Sequence, residues 1–81
     1  MINPIDYTVG RNVRACRKRY RLTQGNVADG VGVTHQQVQK YETGENRISA
    51  SRLVEIANFF NVDVAVFFEG TQSTFIKGTK K

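Results

Sequence analysis

The chain has 81 residues, of which 40% are hydrophobic and 23% are charged, and its formal net charge is +5. This length fits one small domain with a modest core, so we expect no separate sensor domain. The sequence has one cysteine and one histidine, which excludes an internal disulfide and gives no metal-ligand spacing. No signal peptide or membrane span is expected.

The charge is unevenly distributed along the chain. Residues 1–22 hold six basic residues and one acid, residues 23–70 hold three and six, and residues 71–81 hold three basic residues and no acid. Because the six basic residues of the first segment cannot share one helical face, we expect some to point at phosphates and at least one to point inward. A cationic helix also suits an acidic partner or a membrane surface. The short, interrupted apolar face and the lack of tryptophan argue against the membrane.

An apolar stripe marks the first predicted helix, because hydrophobic residues recur there at steps of four, three and four. They are Val9, Val13, Cys16 and Tyr20. We expect Cys16 to be a small core residue and not a nucleophile.

The second predicted helix begins at Gln24, where Thr23 supplies an N-cap oxygen. Small Ala28 on its inner face allows another helix to approach closely. Gly30 and Gly32 are expected to end this helix. A glycine adopts positive φ without steric cost, so Gly32 suits the short link that follows.

The third predicted helix repeats the same signals. Thr34 is its N-cap, Gln37 completes a Thr-x-x-Gln capping box, and Gly44 closes it. Val38 and Tyr41 form the inward face. The residues that remain face outward: His35, Gln36, Gln39 and Lys40.

These outward side chains suit the edges of DNA bases. Glutamine forms paired hydrogen bonds with adenine, lysine reaches guanine O6 and N7, and the first turn of a recognition helix enters the major groove. Gln36 is therefore the strongest candidate for base reading. For Gln37 two roles are equally expected: it reads a base, or its side chain is occupied by the capping box. Taken alone, this polar face is more typical of a solvated helix surface than of a base-reading one. The helix-turn-helix pattern around it reverses that preference.

Two further helices are predicted. Ser49 caps a fourth helix, in which apolar residues recur at Leu53, Ile56, Ala57 and Phe60. Asp63 caps a short fifth helix that is too hydrophobic for a free surface, which indicates a partner. The predicted dimer contact comprises Val64, Phe67 and Phe68, with the alternative that both phenylalanines close the core.

Residues at fixed spacing run through most of the chain. They read Gly10-x-x-Val13-Arg14-x-x-Arg17, Leu22-Thr23-Gln24-x-x-Val27-Ala28, Gly32-Val33-Thr34-x-x-x-Val38-x-x-Tyr41-Glu42-x-Gly44, Ser49-x-x-x-Leu53-x-x-Ile56-Ala57 and Val62-x-x-x-x-Phe67-Phe68. On these residues the chain resembles the Xre-type helix-turn-helix family, which includes the phage lambda repressor and Cro. The resemblance implies an all-α fold of five helices, with the helix-turn-helix at helices 2 and 3. Gly25 and Gly30 depart from the family pattern, each costing roughly 0.5 to 1 kcal/mol relative to alanine.

The resemblance also implies roles for single residues. In similar proteins the glutamine at Gln24 binds a DNA phosphate and braces the first residue of the recognition helix, and the arginine at Arg17 pairs with the glutamate at Glu42. The residues at His35, Gln36 and Lys40 read bases in similar proteins. With the two other glutamines of the third helix, the expected base-reading residues are His35, Gln36, Gln37, Gln39 and Lys40. The expected phosphate-binding residues are Arg14, Thr23, Gln24, Asn46 and Arg47.

The sequence thus predicts a sequence-specific DNA-binding regulator, in the role of a repressor and not an enzyme, with no cofactor. It is expected to act in a prokaryotic cytoplasm, as a homodimer on a two-fold site in double-stranded DNA. One reading helix contacts only a few base pairs, each worth about 1 to 3 kcal/mol, which is too little to select one site in a genome.

Residues 1–70 form the predicted domain, and residues 71–81 are either a disordered tail or a dimer arm. The alternatives are the antitoxin of a toxin-antitoxin pair and a protein-interaction module that does not read DNA.

Overall fold

The computed structural model describes residues 1–71, which form four α-helices followed by a short 3-10 helix and contain no strand. The helices are α1 (Pro4–Arg19), α2 (Gln24–Val31), α3 (His35–Thr43), α4 (Ala50–Phe60) and the 3-10 helix (Val64–Phe68). The all-α prediction is confirmed. All five predicted helices are present, but the fifth is a 3-10 helix of five residues and not an α-helix, a tighter form that proteins use in short pieces. Apart from Thr71, the predicted tail lies outside the described residues.

Side-chain caps set the helix starts, as the sequence predicts. The capping side chains accept hydrogen bonds from backbone N–H groups of the following turn at Thr23, Thr34, Ser49 and Asp63. The start of α1 was not predicted. There the Asn3 side chain accepts hydrogen bonds from the N–H groups of Ile5 and Asp6, at 2.8 and 3.2 Å, and Pro4 occupies the first helical position, where its missing N–H costs nothing.

The two glycines predicted to end α2 have different roles. Gly32 is its C-cap, with φ of 77° in the left-handed region. Gly30 instead lies within the helix, and a Cβ at this position would overlap the ring of Phe59. Glycine therefore lets α4 pack closely on α2, which explains one departure from the family pattern.

The core lies where all five helices meet, and its largest fully buried side chains are Val13, Val27, Val38, Ile56 and Phe67. Tyr20 was wrongly assigned to the core stripe of α1. It is the C-cap residue and remains 47% exposed. Its ring stacks on Phe60, with 5.8 Å between ring centroids, so it covers the edge of the core.

Helix α1 makes close contacts with both α3 and the 3-10 helix. A Cβ on Gly10 would overlap the carbonyl oxygen of Tyr41, so the backbones of α1 and α3 are in direct contact there. The side-chain amide of Asn12 donates hydrogen bonds to the carbonyl oxygens of Phe67 and Glu69, at 2.9 and 2.7 Å. The 3-10 helix and α3 are therefore both held by α1.

Candidate nucleic-acid interface

Helices α2 and α3 are joined by a three-residue link and pack through small apolar residues. Val27, Ala28 and Val38 are each at most 3% exposed. The opposite face of α3 is exposed at His35, Gln36, Gln39 and Lys40, whereas Gln37 is half-buried. The structure thus brings the predicted base-reading residues together on one short helix.

The predicted capping box of α3 is only half formed. The Thr34 hydroxyl oxygen accepts a hydrogen bond from the Gln37 N–H at 3.1 Å, but within residues 1–71 the Gln37 side chain makes no return bond to the Thr34 N–H. The complete box is in α2, where the Asn26 side chain accepts from the Thr23 N–H at 2.9 Å and the Thr23 hydroxyl accepts from the Asn26 N–H at 3.0 Å. The Gln37 side chain is therefore not held by a cap.

A buried ion pair fixes α3 to α1. The Arg17 Nε donates to Glu42 Oε2 at 2.6 Å, and Arg17 Nη2 donates to Glu42 Oε1 at 2.9 Å. The two side chains are 11% and 3% exposed. The third guanidinium nitrogen, Nη1, donates to the carbonyl oxygen of Leu22 at 2.9 Å. Hydrogen bonding to Glu42 raises the pKa of Arg17 above its ordinary value, although burial opposes this, so the guanidinium stays charged.

The ion pair extends outward to the exposed face through Gln24. The Gln24 Nε2 donates to Glu42 Oε1 at 3.0 Å, and Gln24 Oε1 lies 3.0 Å from His35 Nε2. A continuous polar chain therefore runs from buried Arg17 to the first residue of α3. The contact with His35 is the one that the family resemblance implies for the glutamine at Gln24.

A polar groove of about 330 Å³ lies beside Gln24, between α1, α2 and α3. Arg11 and Arg14 line it, together with Tyr7, Gln39, Glu42 and Thr43. The Arg11 guanidinium lies over the Tyr7 ring, 5.9 Å from its centroid. Arg11 is a site residue that was not predicted, although its spacing of three from Arg14 places both on one helical face.

The other residues predicted to bind phosphate have separate surroundings. Thr23 is exposed at the N-terminus of α2, and Asn46 is exposed in the loop after α3. Arg47 pairs with Asp6 of α1, its Nε donating to the two carboxylate oxygens at 3.2 and 3.0 Å. Its side chain is nevertheless 72% exposed, so most of it remains accessible to a ligand.

The predicted dimer contact divides between core and surface. Phe67 is fully buried and packs edge to face on Phe60, with 6.4 Å between ring centroids, so its prediction as a contact residue is wrong. Phe68 is 43% exposed, and Val64 is half-buried. Phe68 lines an apolar groove of about 230 Å³ with residues that include Ile5, Ile48 and Leu53.

Cys16 is a buried free thiol in α1. Burial raises the pKa of this thiol, and nearby Arg19 opposes the shift. Among residues 1–71, no three His, Cys, Asp or Glu side chains are grouped closely enough to hold a metal ion. No helix in that part of the chain is long and apolar enough to cross a bilayer.

Two capped helices, a short glycine turn and an exposed polar face define a helix-turn-helix domain. The family model described as helix-turn-helix matches residues 13–67, and the chain belongs to this family, in its Xre and lambda-repressor branch. An uncharacterized HTH-type transcriptional regulator from Sinorhizobium medicae is 46% identical over 67 residues, which are 83% of this chain and 48% of that protein. The chain thus spans about half the length of this relative.

Solved structures have the same fold. The DNA-binding domain of BldD is 26% identical, with a TM-score of 0.75 over 84% of this chain and 99% of that one. The P22 c2 repressor, solved in complex with a synthetic operator, is 21% identical, with a TM-score of 0.70 over 76% of this chain and 94% of that one. The chain is therefore a helix-turn-helix domain of the kind found in transcriptional regulators.

Proposed function

We propose that this protein is a sequence-specific DNA-binding repressor that uses α3 as its reading helix. The observation that carries the proposal is the outer face of α3. Gln36, Gln39 and Lys40 are exposed there, and within residues 1–71 their side chains make no hydrogen bond. Glutamine and lysine side chains pair with base edges in the major groove, and the first turn of α3 carries Gln36.

The phosphate contacts of this proposal come from α1 and from the loop that follows α3. Arg11 and Arg14 line the groove next to Gln24, and Arg47 follows α3 with most of its side chain exposed. Contacts to phosphates orient a protein on the duplex without reading sequence. The cations of α1 therefore supply a salt-sensitive attraction, and α3 supplies the base preference.

We further propose that two copies bind a two-fold operator. The exposed Phe68 ring of the 3-10 helix and the neighbouring Ile5 of α1, which is 48% exposed, supply an apolar surface. A two-fold contact through this surface would be self-complementary, since each copy presents the same residues. It would allow two reading helices about 34 Å apart, one turn of DNA, to enter successive major grooves.

The experiment that tests this function is selection of bound sites from random duplex DNA. We expect an enriched sequence with two inverted half-sites, and retention at low salt that falls steeply as salt is added. A pool that binds but shows no enriched sequence would contradict sequence-specific reading. A single half-site without its inverted copy would contradict the homodimer but not the sequence-specific reading.

A further inference from the structure

The hydrogen-bond chain behind α3 fixes the orientation of the Gln24 side-chain amide. An ionised carboxylate only accepts hydrogen bonds, and Glu42 is held as a carboxylate by two bonds from the Arg17 guanidinium. The Gln24 atom that lies 3.0 Å from Glu42 Oε1 must therefore be the amide nitrogen. The other end of the amide, its carbonyl oxygen, faces His35.

The same reasoning extends to the imidazole. A carbonyl oxygen cannot donate, so the hydrogen bond between Gln24 Oε1 and His35 Nε2 requires a proton on Nε2. In a neutral ring the other nitrogen, Nδ1, is then an acceptor. Among residues 1–71, no group donates a hydrogen bond to it, and His35 is exposed on the reading face.

We propose that Glu42 acts through Gln24 to hold neutral His35 in the Nε2–H tautomer, so that α3 presents Nδ1 to DNA as a hydrogen-bond acceptor. The base-edge groups that match an acceptor in the major groove are the amino groups of adenine N6 and cytosine N4. Glu42 is thus a positioning residue for base reading as well as part of a structural ion pair. The choice of base rests on the proposed function, whereas the tautomer does not.

The tautomer is measured on the free protein, uniformly labelled with ¹⁵N, at pH about 8.5, where imidazole is neutral. The chain has one histidine, so the ring signals need no assignment. We expect a single form with the proton on Nε2, and slow exchange of that proton with water. In Gln24→Ala this exchange should be about tenfold faster, because the hydrogen bond is lost. Gln36→Ala is the matched control and should leave it unchanged.

A second variant tests whether Glu42 fixes the orientation of the Gln24 side-chain amide. Glu42→Gln removes the carboxylate, so the Gln24 amide is free to turn over and an Nδ1–H form should become populated. The proposal is overturned by an Nδ1–H form in the parent protein, by an unchanged exchange rate in Gln24→Ala, or by a folded Glu42→Gln that keeps one slowly exchanging tautomer. If Glu42→Gln unfolds, the comparison of Gln24→Ala with the parent decides.

The base preference is tested separately on the selected operator. At the base pair where His35→Ala relaxes preference, a base analogue that lacks the exocyclic amino group should weaken binding of the parent about tenfold. It should weaken binding of His35→Ala little, because the acceptor is already absent. Equal losses in the two proteins would overturn the base assignment. Failure to bind any DNA would contradict the proposed function and leave the tautomer result standing.

Discussion

Replacing Glu42 with glutamine should remove a large share of the stability of this domain. The change leaves the Arg17 guanidinium charged at a site where its side chain is 11% exposed. Of its present hydrogen bonds, only the one to the Leu22 carbonyl oxygen is untouched. Breaking a buried pair on one side costs about 3 to 5 kcal/mol. We expect about 3 kcal/mol, the lower end, because the new amide oxygen still accepts one hydrogen bond from Arg17.

This loss should be visible in thermal unfolding followed by circular dichroism. For a domain of this size each kcal/mol lowers Tm by about 4 to 8 °C, so Glu42→Gln should lower it by about 12 to 24 °C. The matched control is Glu55→Gln, which breaks the pair between Arg52 and the 55% exposed Glu55. That change should cost less than about 1 kcal/mol. A Tm for Glu42→Gln as close to the parent's as that of the control would refute the argument.

Three further predictions test the packing and the assembly. Gly25→Ala should raise the free energy of unfolding by about 0.5 to 1 kcal/mol, since a Cβ there would meet only the Thr23 hydroxyl at 3.6 Å. Gly30→Ala should lower the free energy of unfolding, and equal shifts of the two variants in urea denaturation would contradict this difference. Phe68→Asp should give a folded monomer with weak, salt-sensitive DNA binding, and a dimer in sedimentation would show that Phe68 is not the contact. Cys16, which is 2% exposed, should react with a thiol reagent only as the chain unfolds, whereas fast labelling of native protein would show that α1 opens locally.

The parts of the fold that sequence predicts best are those set by local chemistry. The caps at Thr23, Thr34 and Ser49 lie one residue before their helices, because a hydroxyl and the N–H groups it accepts from are close along the chain. The left-handed turn at Gly32 is predictable for the same reason. These signals place the helix-turn-helix and its outward face.

The parts that sequence missed depend on neighbours distant along the chain. Gly30 was expected to end α2, because a glycine is a common helix terminator. The ring of Phe59 in fact occupies the space of its missing side chain, and no neighbour in the sequence reveals that contact. Asn12 gave no sign of its bonds to the 3-10 helix, which lies more than fifty residues away. Which of Phe67 and Phe68 is buried was likewise not predictable, since a 3-10 turn and an α-turn direct successive side chains differently.

The link between Gln24 and Glu42 was also beyond sequence reasoning. The family resemblance implies a contact of Gln24 with the start of α3 and a separate pair of Arg17 with Glu42. Only the structure joins them, through a hydrogen bond of 3.0 Å. If α3 reads bases as proposed, stability and base reading depend on the same buried carboxylate.

The central claim, that α3 reads bases while α1 binds phosphates, is tested most directly by comparing two variants on two DNA molecules. Binding of Gln36→Ala and Arg14→Ala is measured on the selected operator and on a random duplex of equal length. Gln36→Ala should lose about 1 to 3 kcal/mol on the operator and almost nothing on the random duplex. Arg14→Ala should weaken binding to both about equally and flatten the salt dependence. If Gln36→Ala weakened both molecules equally, α3 would not be the reading helix.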